Sequence, residues 1–303
     1  MDDVTRRFAC TACGKCCDRS PEVELSEAAP LADMFVFRLL FRLYRLPSSL
    51  RDYVDEKMPP RAAGEQFYQR KRLLAACAAR KSKSKLSRSG KAVEHDDYLI
   101  VSALALDSGT GSCAALANGR CSIYERRPFA CRTAPFHYSR IEASLGGYLD
   151  AFVGTPGYAC DSGDSAPVVI DHGLLADSGI RSERDQALAL VRRDAPWHRA
   201  IVHRMKTARW NDAGLPSLWD VEANAPFGAT GTSMRIAWRI AVEAGLMGED
   251  ECAAAIAAQL RTIERELARG NCTPGHRQTL EEMRAEYRLS LQPAAVSTIF
   301  ATT

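Results

Sequence analysis

The chain has 303 residues, of which 46% are hydrophobic, and it carries a formal net charge of +3. This length and hydrophobic content can bury a core without metal or disulfide support, in one large domain or in two. So small a net charge does not by itself indicate a polyanionic partner. The 11 cysteines are an odd number, which excludes complete internal disulfide pairing.

Four cysteines lie within eight residues near the start: Cys10, Cys13, Cys16 and Cys17. No apolar stretch precedes them, so we expect no secretory signal and a cytoplasmic location. In a reducing cytosol, thiols this close usually bind metal, which favours a metal site over a disulfide scaffold. Adjacent side chains point apart in extended chain, so Cys16 and Cys17 are not expected to ligate the same ion. One of the two could serve a second centre, another iron of a cluster, or the core.

A helix is predicted next, beginning at Ser26 and ending at Leu46, directly before a proline. Three arginines, Arg38, Arg42 and Arg45, recur at helical spacing and would form one basic face. Such a face could bind a membrane surface or an anionic partner. A core helix with one solvated basic face is the favoured interpretation. The arginines exclude a transmembrane segment here.

Residues 69–91 are the most basic stretch of the chain. A helix is predicted in the first half and a mobile Ser/Lys loop from Ser82. The stretch could contact RNA, DNA or an acidic protein, but it has no interleaved aromatic residues for base stacking. Nucleic acid is therefore not favoured, and we interpret about 66–95 as a solvated basic insertion. Cys77 lies among alanines and is expected to be a buried thiol, not a ligand.

A buried strand is predicted over Tyr98–Leu106. Asn118-Gly119 is typical of a two-residue hairpin turn, which would bring Cys113 and Cys121 close together. The segments 136–138 and 148–153 are expected to add strands to the same small sheet.

Cys131 follows the Arg127-Pro128 turn, which would return it to the site. Arg126, Arg127 and Arg132 place positive charge beside the thiolates and would favour ionised sulfur. An equally open interpretation is that these arginines are only solvated and have no role at the site. His137 is the histidine to test as a ligand or as the neighbour of one, although an ordinary strand histidine is favoured.

Together these segments resemble the YkgJ-like cysteine-cluster family, also called the CxxCxxCC putative zinc- or iron-chelating domain. The first cluster reads C-x-x-C-x-x-C-C, and the second reads N-G-x-C-S-I-Y-E-x-R-P-x-x-C-R-x-x-P-F. Cys160 resembles the final cysteine of the family, although Asp161-Ser162 follows it here in place of Pro-Gly. The resemblance covers 8–28 and 97–162. It implies metal or iron–sulfur binding. The flagellin lysine methylases contain a similar cysteine pattern and are thought to use an iron–sulfur cluster for methyl transfer.

The predicted metal ligands are Cys10, Cys13, Cys16, Cys17, Cys113, Cys121, Cys131 and Cys160, and the predicted cofactor-binding arginines are Arg127 and Arg132. We prefer an iron–sulfur cluster over zinc, because eight thiols with adjacent cysteines exceed the need of one tetrahedral zinc.

After about residue 180 the pattern is helical. Ser182 is predicted to cap a helix that runs to about Val191, and Pro196 restarts another. Two later apolar stripes, separated by Gly270 and Pro274, predict an αα-hairpin. The stripes are Ile256, Leu260, Ile263 and Leu267, and Leu280, Met283, Tyr287 and Leu291. Cys252 extends the first stripe and is expected in the core, and Cys272 in the turn is not expected to bind metal.

The sequence thus predicts an α+β protein: a small cysteine-rich sheet and loop metal domain at 1–165 with a basic insertion, then an α-helical region at 166–303. Three functional classes stay open: a zinc module that binds a protein partner, a redox or methyl-transfer enzyme, and a metal-handling protein. The chain contains no P-loop, dinucleotide fingerprint or nucleophile elbow.

Overall fold

The protein is described by a computed structural model that covers residues 4–17, 19–53, 60–75, 77–84, 92–109, 111–207, 214–225, 228–270 and 272–291. Helices and antiparallel strands are both present, so the predicted α+β class holds at this level. Among the described residues, no helix combines the length and the apolar composition needed to span a bilayer.

The strands are β1 (Arg6–Arg7), β2 (Glu22–Val23), β3 (Phe37–Pro47), β4 (Ala78–Ser84), β5 (Val93–Ala105), β6 (Leu116–Ala117), β7 (Arg120–Cys121), β8 (Val168–Asp171), β9 (Leu174–Leu175) and β10 (Thr230–Ser233). The helices are α1 (Leu25–Ala28), α2 (Pro60–Leu74), α3 (Phe129–Arg132), α4 (Leu145–Val153), α5 (Ser178–Arg193), α6 (Ala195–Thr207), α7 (Leu218–Asn224), α8 (Met234–Glu243), α9 (Glu249–Arg269) and α10 (Pro274–Leu291). Short 3₁₀ turns lie at Ala29–Leu31, Leu50–Asp52, Tyr124–Arg126 and Glu142–Ser144.

The main sheet is built on two long antiparallel strands, β3 and β5. Their register runs from Phe37 opposite Ala105 to Pro47 opposite His95. The strand order is β10-β3-β5-β2, and β4 pairs with β5 as well. The predicted strand over 98–106 is therefore present, although it begins earlier, at Val93.

The helix predicted from Ser26 to Leu46 is wrong. Only α1 and the 3₁₀ turn after it are helical, and the rest is mostly β3. From Phe37 onward, alternate side chains enter the core: Phe37, Leu39 and Phe41 are each 0% exposed. This period of two suits a strand, and pairing with β5 decides the outcome over helical propensity.

The three arginines of that segment do not form a free basic face. Arg38 donates to the carbonyl oxygen of Gly231, and Arg45 pairs with Asp97 at 2.8 Å. Arg42 forms an ion pair with Glu22. The observed partners remove the reason to propose a membrane surface for this face.

The mobile loop predicted from Ser82 is wrong for residues 82–84, which belong to a strand. The helix predicted in the first half of the basic stretch is α2, but the residues from Ala78 to Ser84 form β4, which pairs with β5 along its length. The remainder of the predicted loop, 85–91, lies outside the described residues. Pairing with β5 on one side orders the backbone of 78–84 as an edge strand, which local composition does not reveal.

The strands predicted at 136–138 and 148–153 are wrong. The first segment lies in turns, and the second belongs to helix α4. In the C-terminal half, α5 begins earlier than predicted, because Asp177, not Ser182, caps it by accepting from the amide of Ile180 at 2.8 Å. The αα-hairpin of α9 and α10 is present, and Gly270 ends α9 with a φ of 75°.

One hydrophobic core crosses the boundary predicted at residues 165/166. Strand β10 pairs with β3, and Trp238, Ile263 and Tyr287 share the buried cluster with Phe37. Gln259 of α9 accepts from the amide of Phe37 at 2.9 Å and donates to the carbonyl oxygen of Phe35 at 2.7 Å. In the described residues, the main buried cluster therefore contains side chains from both predicted regions.

Candidate metal centre

The first cysteine loop packs directly on the turn of the β6–β7 hairpin. Gly14 has a φ of 71°, and a Cβ atom there would lie 2.5 Å from the carbonyl oxygen of Gly119. The amide of Cys17 donates to the carbonyl oxygen of Gly14 at 3.0 Å, closing a tight turn. Only glycine fits this position, because both the dihedral angle and the close approach exclude a side chain.

The hairpin itself follows the predicted turn. Asn118 and Gly119 have φ values of 51° and 74°, and Leu116 pairs with Cys121 across the strands. Two successive positive φ values are typical of a type I′ turn. The amide of Cys113 donates to the carbonyl oxygen of Cys17 at 3.2 Å, which joins the two cysteine segments through the backbone.

Two further contacts bring Cys131 and Cys160 to the same place. The carboxylate of Glu27 accepts from the amide of Phe129 at 3.0 Å and so holds helix α3, which carries Cys131. Ala9 and Asp161 form an isolated antiparallel bridge, which places Cys160 beside Cys10.

All eight predicted cysteines line one cavity of about 260 Å³. They are Cys10, Cys13, Cys16, Cys17, Cys113, Cys121, Cys131 and Cys160. Thiolates are ligands for zinc and for iron–sulfur clusters, so the donor set fits either group. No three histidine, cysteine or acidic side chains of the described part of the chain are positioned to hold a metal ion as they stand. The cavity thus collects the donors but does not display a finished coordination geometry.

The thiols strongly influence one another. A hydrogen bond with Cys16 raises the pKa of Cys17, and burial together with the sulfurs of Cys16, Cys113 and Cys121 raises it further. Burial, with Cys113 and Cys121 nearby, raises the pKa of Cys131 to about 12. Without a cation the cavity therefore favours protonated sulfur, because several thiolates would repel one another. A bound cation would reverse this preference.

Cys13 behaves differently. Hydrogen bonds from the backbone amides of Lys15 and Ala159 lower the pKa of the Cys13 thiol. Amide donors stabilise the thiolate and not the thiol, so Cys13 is the cysteine most easily ionised by its surroundings.

The two predicted cofactor-binding arginines lie in different places. Arg127 lines the cavity, lowers the pKa of Cys131, and has its guanidinium 3.7 Å from the ring centroid of Tyr124. Arg132 does not line it: its guanidinium pairs with Glu183 at 3.2 Å and lies over Phe129. The prediction for Arg132 is not supported by this position, because the side chain leaves α3 on the side facing α5.

Tyr124 is a residue that sequence reasoning missed. It lines the cavity, and burial together with a hydrogen bond shared with Cys10 raises the pKa of the phenol. Its place three residues after Cys121, inside the S-I-Y-E motif, was the available signal.

The other candidates lie away from the cysteine cavity. His137 shares a hydrogen bond with Ser139 Oγ at 2.8 Å and lines a second cavity, as does Cys77. Cys252 is buried in the core, and the Cys272 thiol contacts the carbonyl oxygen of Glu266 at 3.7 Å.

No family model, curated protein or solved structure matches this chain. The resemblance to the YkgJ-like family is a resemblance of the cysteine motifs alone.

Proposed function

We propose that this protein binds metal through thiolates, as a YkgJ-like protein of the cytoplasm, and that it holds an iron–sulfur cluster. One observation carries the proposal: three separate chain segments deliver eight cysteines to one cavity of about 260 Å³. Only Cys113 of the eight is buried, so the group is not a packed core of thiols. Thiols gathered this densely around one space have little use in packing alone, since several polarisable donors face the same space.

The number of donors favours a cluster over one zinc ion. A tetrahedral zinc uses four ligands, whereas eight cysteines line this cavity. The space is also large for a single ion, because one water molecule occupies only about 30 Å³ in the liquid. When bound, a cluster would supply one-electron chemistry.

The surrounding residues have definable roles in this proposal. The cysteines must lose their protons on binding, so loading releases protons and depends on pH. Arg127 offsets part of the negative charge of the thiolates, because its guanidinium already lowers the pKa of Cys131. Tyr124 donates its hydroxyl hydrogen to Cys10, which fixes the orientation of that sulfur.

Anaerobic purification followed by elemental and acid-labile sulfide analysis tests the proposal. We expect iron and sulfide in similar amounts and a visible absorption band from sulfur-to-iron charge transfer. Zinc at a fixed ratio without sulfide would instead support the alternative, a zinc module that binds a protein partner. Readily exchanged metal would indicate a metal-handling protein.

A pair of variants shows whether the cysteine cavity is the site that binds the metal. Cys131→Ala removes a cavity thiol, whereas Cys272→Ser changes a thiol that lies outside the cavity. We expect loss of bound metal only in the first. Equal metal content in both variants would overturn the assignment of this cavity.

A further inference from the structure

A second and larger cavity, of about 560 Å³, lies beside the cysteine cavity. Ala130, which directly precedes Cys131, lines both. One wall is the face of the main sheet opposite Phe37, where Arg42 of β3 and Ile100 and Ser102 of β5 line the cavity. Helix α2 covers it from the other side. Its volume lies within the usual range for sites that bind small organic molecules.

This cavity contains a carboxylate without a cationic partner. Glu24 caps α1 and accepts from the hydroxyl of Tyr138 at 3.1 Å, and no ion pair of the described residues includes it. Burial and the nearby carboxylate of Asp194 raise the pKa of Glu24 to about 7. Glu22, which also lines the cavity, differs because Arg42 neutralises it. The Glu24 end of the cavity therefore attracts a positive group.

The cavity also contains a cation without an anionic partner. The guanidinium of Arg70 donates to the hydroxyl of Tyr44 and lies 5.8 Å from the Tyr44 ring centroid and 5.9 Å from that of Tyr53. Among the described residues, no carboxylate forms an ion pair with it. The hydrogen bond to Tyr44 and the two nearby rings orient the guanidinium, and this leaves other donors for a planar anion such as a carboxylate.

His198 supplies an independent observation that points to a ligand site. Its side chain lines the cavity and is only 7% exposed, yet Nδ1 has no hydrogen-bond partner in the described part of the chain. Burial lowers the pKa of His198 to about 4, so the ring is neutral. A buried polar atom without a partner is unfavourable, and a hydrogen bond from a ligand would remove that penalty.

The walls between these groups are largely apolar. Leu73 and Leu74 of α2, Ile100 of β5 and Val191 of α5 line the space. The stacked rings of His137 and Tyr138, with centroids 4.2 Å apart, close another side. A ligand that bound only the charged groups would leave this apolar surface uncovered, so the ligand is expected to have an apolar part.

We propose that this cavity binds a small zwitterion with an apolar body, namely an α-amino acid with an aliphatic or aromatic side chain. Glu24 receives the ammonium group, Arg70 receives the carboxylate, and the leucines of α2 cover the side chain. The proposal goes beyond the metal centre and does not depend on it.

Isothermal titration calorimetry on the full-length protein as purified tests the site. The probes are L-leucine and L-phenylalanine. Two analogues of phenylalanine serve for comparison: 2-phenylethylamine, which lacks the carboxylate, and 3-phenylpropionate, which lacks the ammonium group. We expect L-phenylalanine to bind at least tenfold more tightly than either analogue. Failure of both amino acids to bind, or equal affinity for the analogues, would overturn the proposal.

Variants assign each charge to its end. Glu24→Gln should weaken phenylalanine binding at least tenfold and leave the affinity for 3-phenylpropionate unchanged. Arg70→Gln should also weaken phenylalanine binding, but it should leave the affinity for 2-phenylethylamine unchanged. Arg61→Gln, on the exposed face of the same helix, is the control and should change nothing. Equal losses in Arg61→Gln and Arg70→Gln would refute the assignment. Metal content measured on every variant separates failure of this site from failure of the metal centre.

Discussion

The backbone amide of Cys113 donates to the carbonyl oxygen of Cys17 at 3.2 Å. This bond fixes the end of the first cysteine loop against the start of the second cysteine segment. Because it uses main-chain atoms, it does not depend on the state of the thiols. The backbone therefore holds the two segments together independently of any group that the thiols bind.

Gly14 provides the most direct test of this contact. We expect Gly14→Ala to displace the loop and reduce metal content, because the new Cβ would lie 2.5 Å from the Gly119 carbonyl oxygen. The positive φ adds about 1–2 kcal/mol of strain. Metal analysis and thermal unfolding of the variant would measure both effects.

Gly119→Ala is the matched control for that variant. Gly119 has a φ of 74°, close to that of Gly14, but a Cβ atom there would meet nothing within 4 Å. The control therefore carries the dihedral strain without the collision. If the two variants lost equal amounts of metal, close packing of the loop on the hairpin would not be what holds the cysteines together.

The hairpin could be predicted because its signal is local. Asn118-Gly119 needs only its own two dihedral angles to form the turn, and the structure contains it. The segment Phe37–Pro47 could not be assigned in the same way. Its arginines fit a helical spacing, and only pairing with β5, distant in sequence, selects the strand.

The candidate site shows the same division. The clustered cysteine motifs and the family resemblance together selected the eight cysteines that line the cavity, and positive charge beside them selected Arg127. The sequence could not show that Arg132 turns toward Glu183, because that depends on where α5 packs. The second cavity was not predicted, since Glu24, Arg70 and His198 come from elements far apart in sequence.

The spare thiols give a second prediction. Cys77→Ser and Cys272→Ser should retain the metal content of the wild type, because neither residue lines the cysteine cavity. Cys77 is half-buried and burial raises its pKa to about 11, so it is a poor thiolate at neutral pH. Elemental analysis of both variants is the measurement. Metal loss in Cys272→Ser would mean that a ligand has been overlooked.

Glu24 predicts a specific dependence of stability on pH. The folded protein keeps the Glu24 proton up to about pH 7, whereas the unfolded chain releases it near the ordinary value of 4.5. The stability contributed by this raised pKa is therefore present below about pH 4.5 and is lost as the pH rises to 7. Glu24→Gln should increase the free energy of unfolding by about 2 kcal/mol more at pH 8 than at pH 5.

Urea unfolding of wild type and variant at both pH values checks this. Glu65→Gln is the control, since Glu65 is exposed on α2 and should show little difference between the two pH values. A Glu24→Gln effect that did not change with pH would mean that the carboxyl is not held protonated by its surroundings. If Glu24→Gln stabilises the protein, that result would also agree with a binding role for Glu24. Ligand sites often keep groups that lower the stability of the fold.

Metal removal should affect the two halves of the molecule unequally. Around the cavity, the loop from Cys10 to Cys17 has little hydrophobic burial, whereas α9 and α10 place Ile263 and Tyr287 at 0% exposure in the main core. We therefore expect a chelator, or Cys13→Ala, to reduce hydrogen-exchange protection near 8–20 and in the 111–135 segment. The long helices and the β3–β5 pair should keep theirs. Within the 111–135 segment, protection should differ between residues, because Cys113 and Ile123 belong to the main core and Cys131 does not. Protection should fall most around Cys10–Cys17 and Cys131 and least at Ile123. Equal loss of hydrogen-exchange protection across the sheet and the helices would show that the metal centre and the core unfold as one unit. The shared core makes this the alternative outcome to test.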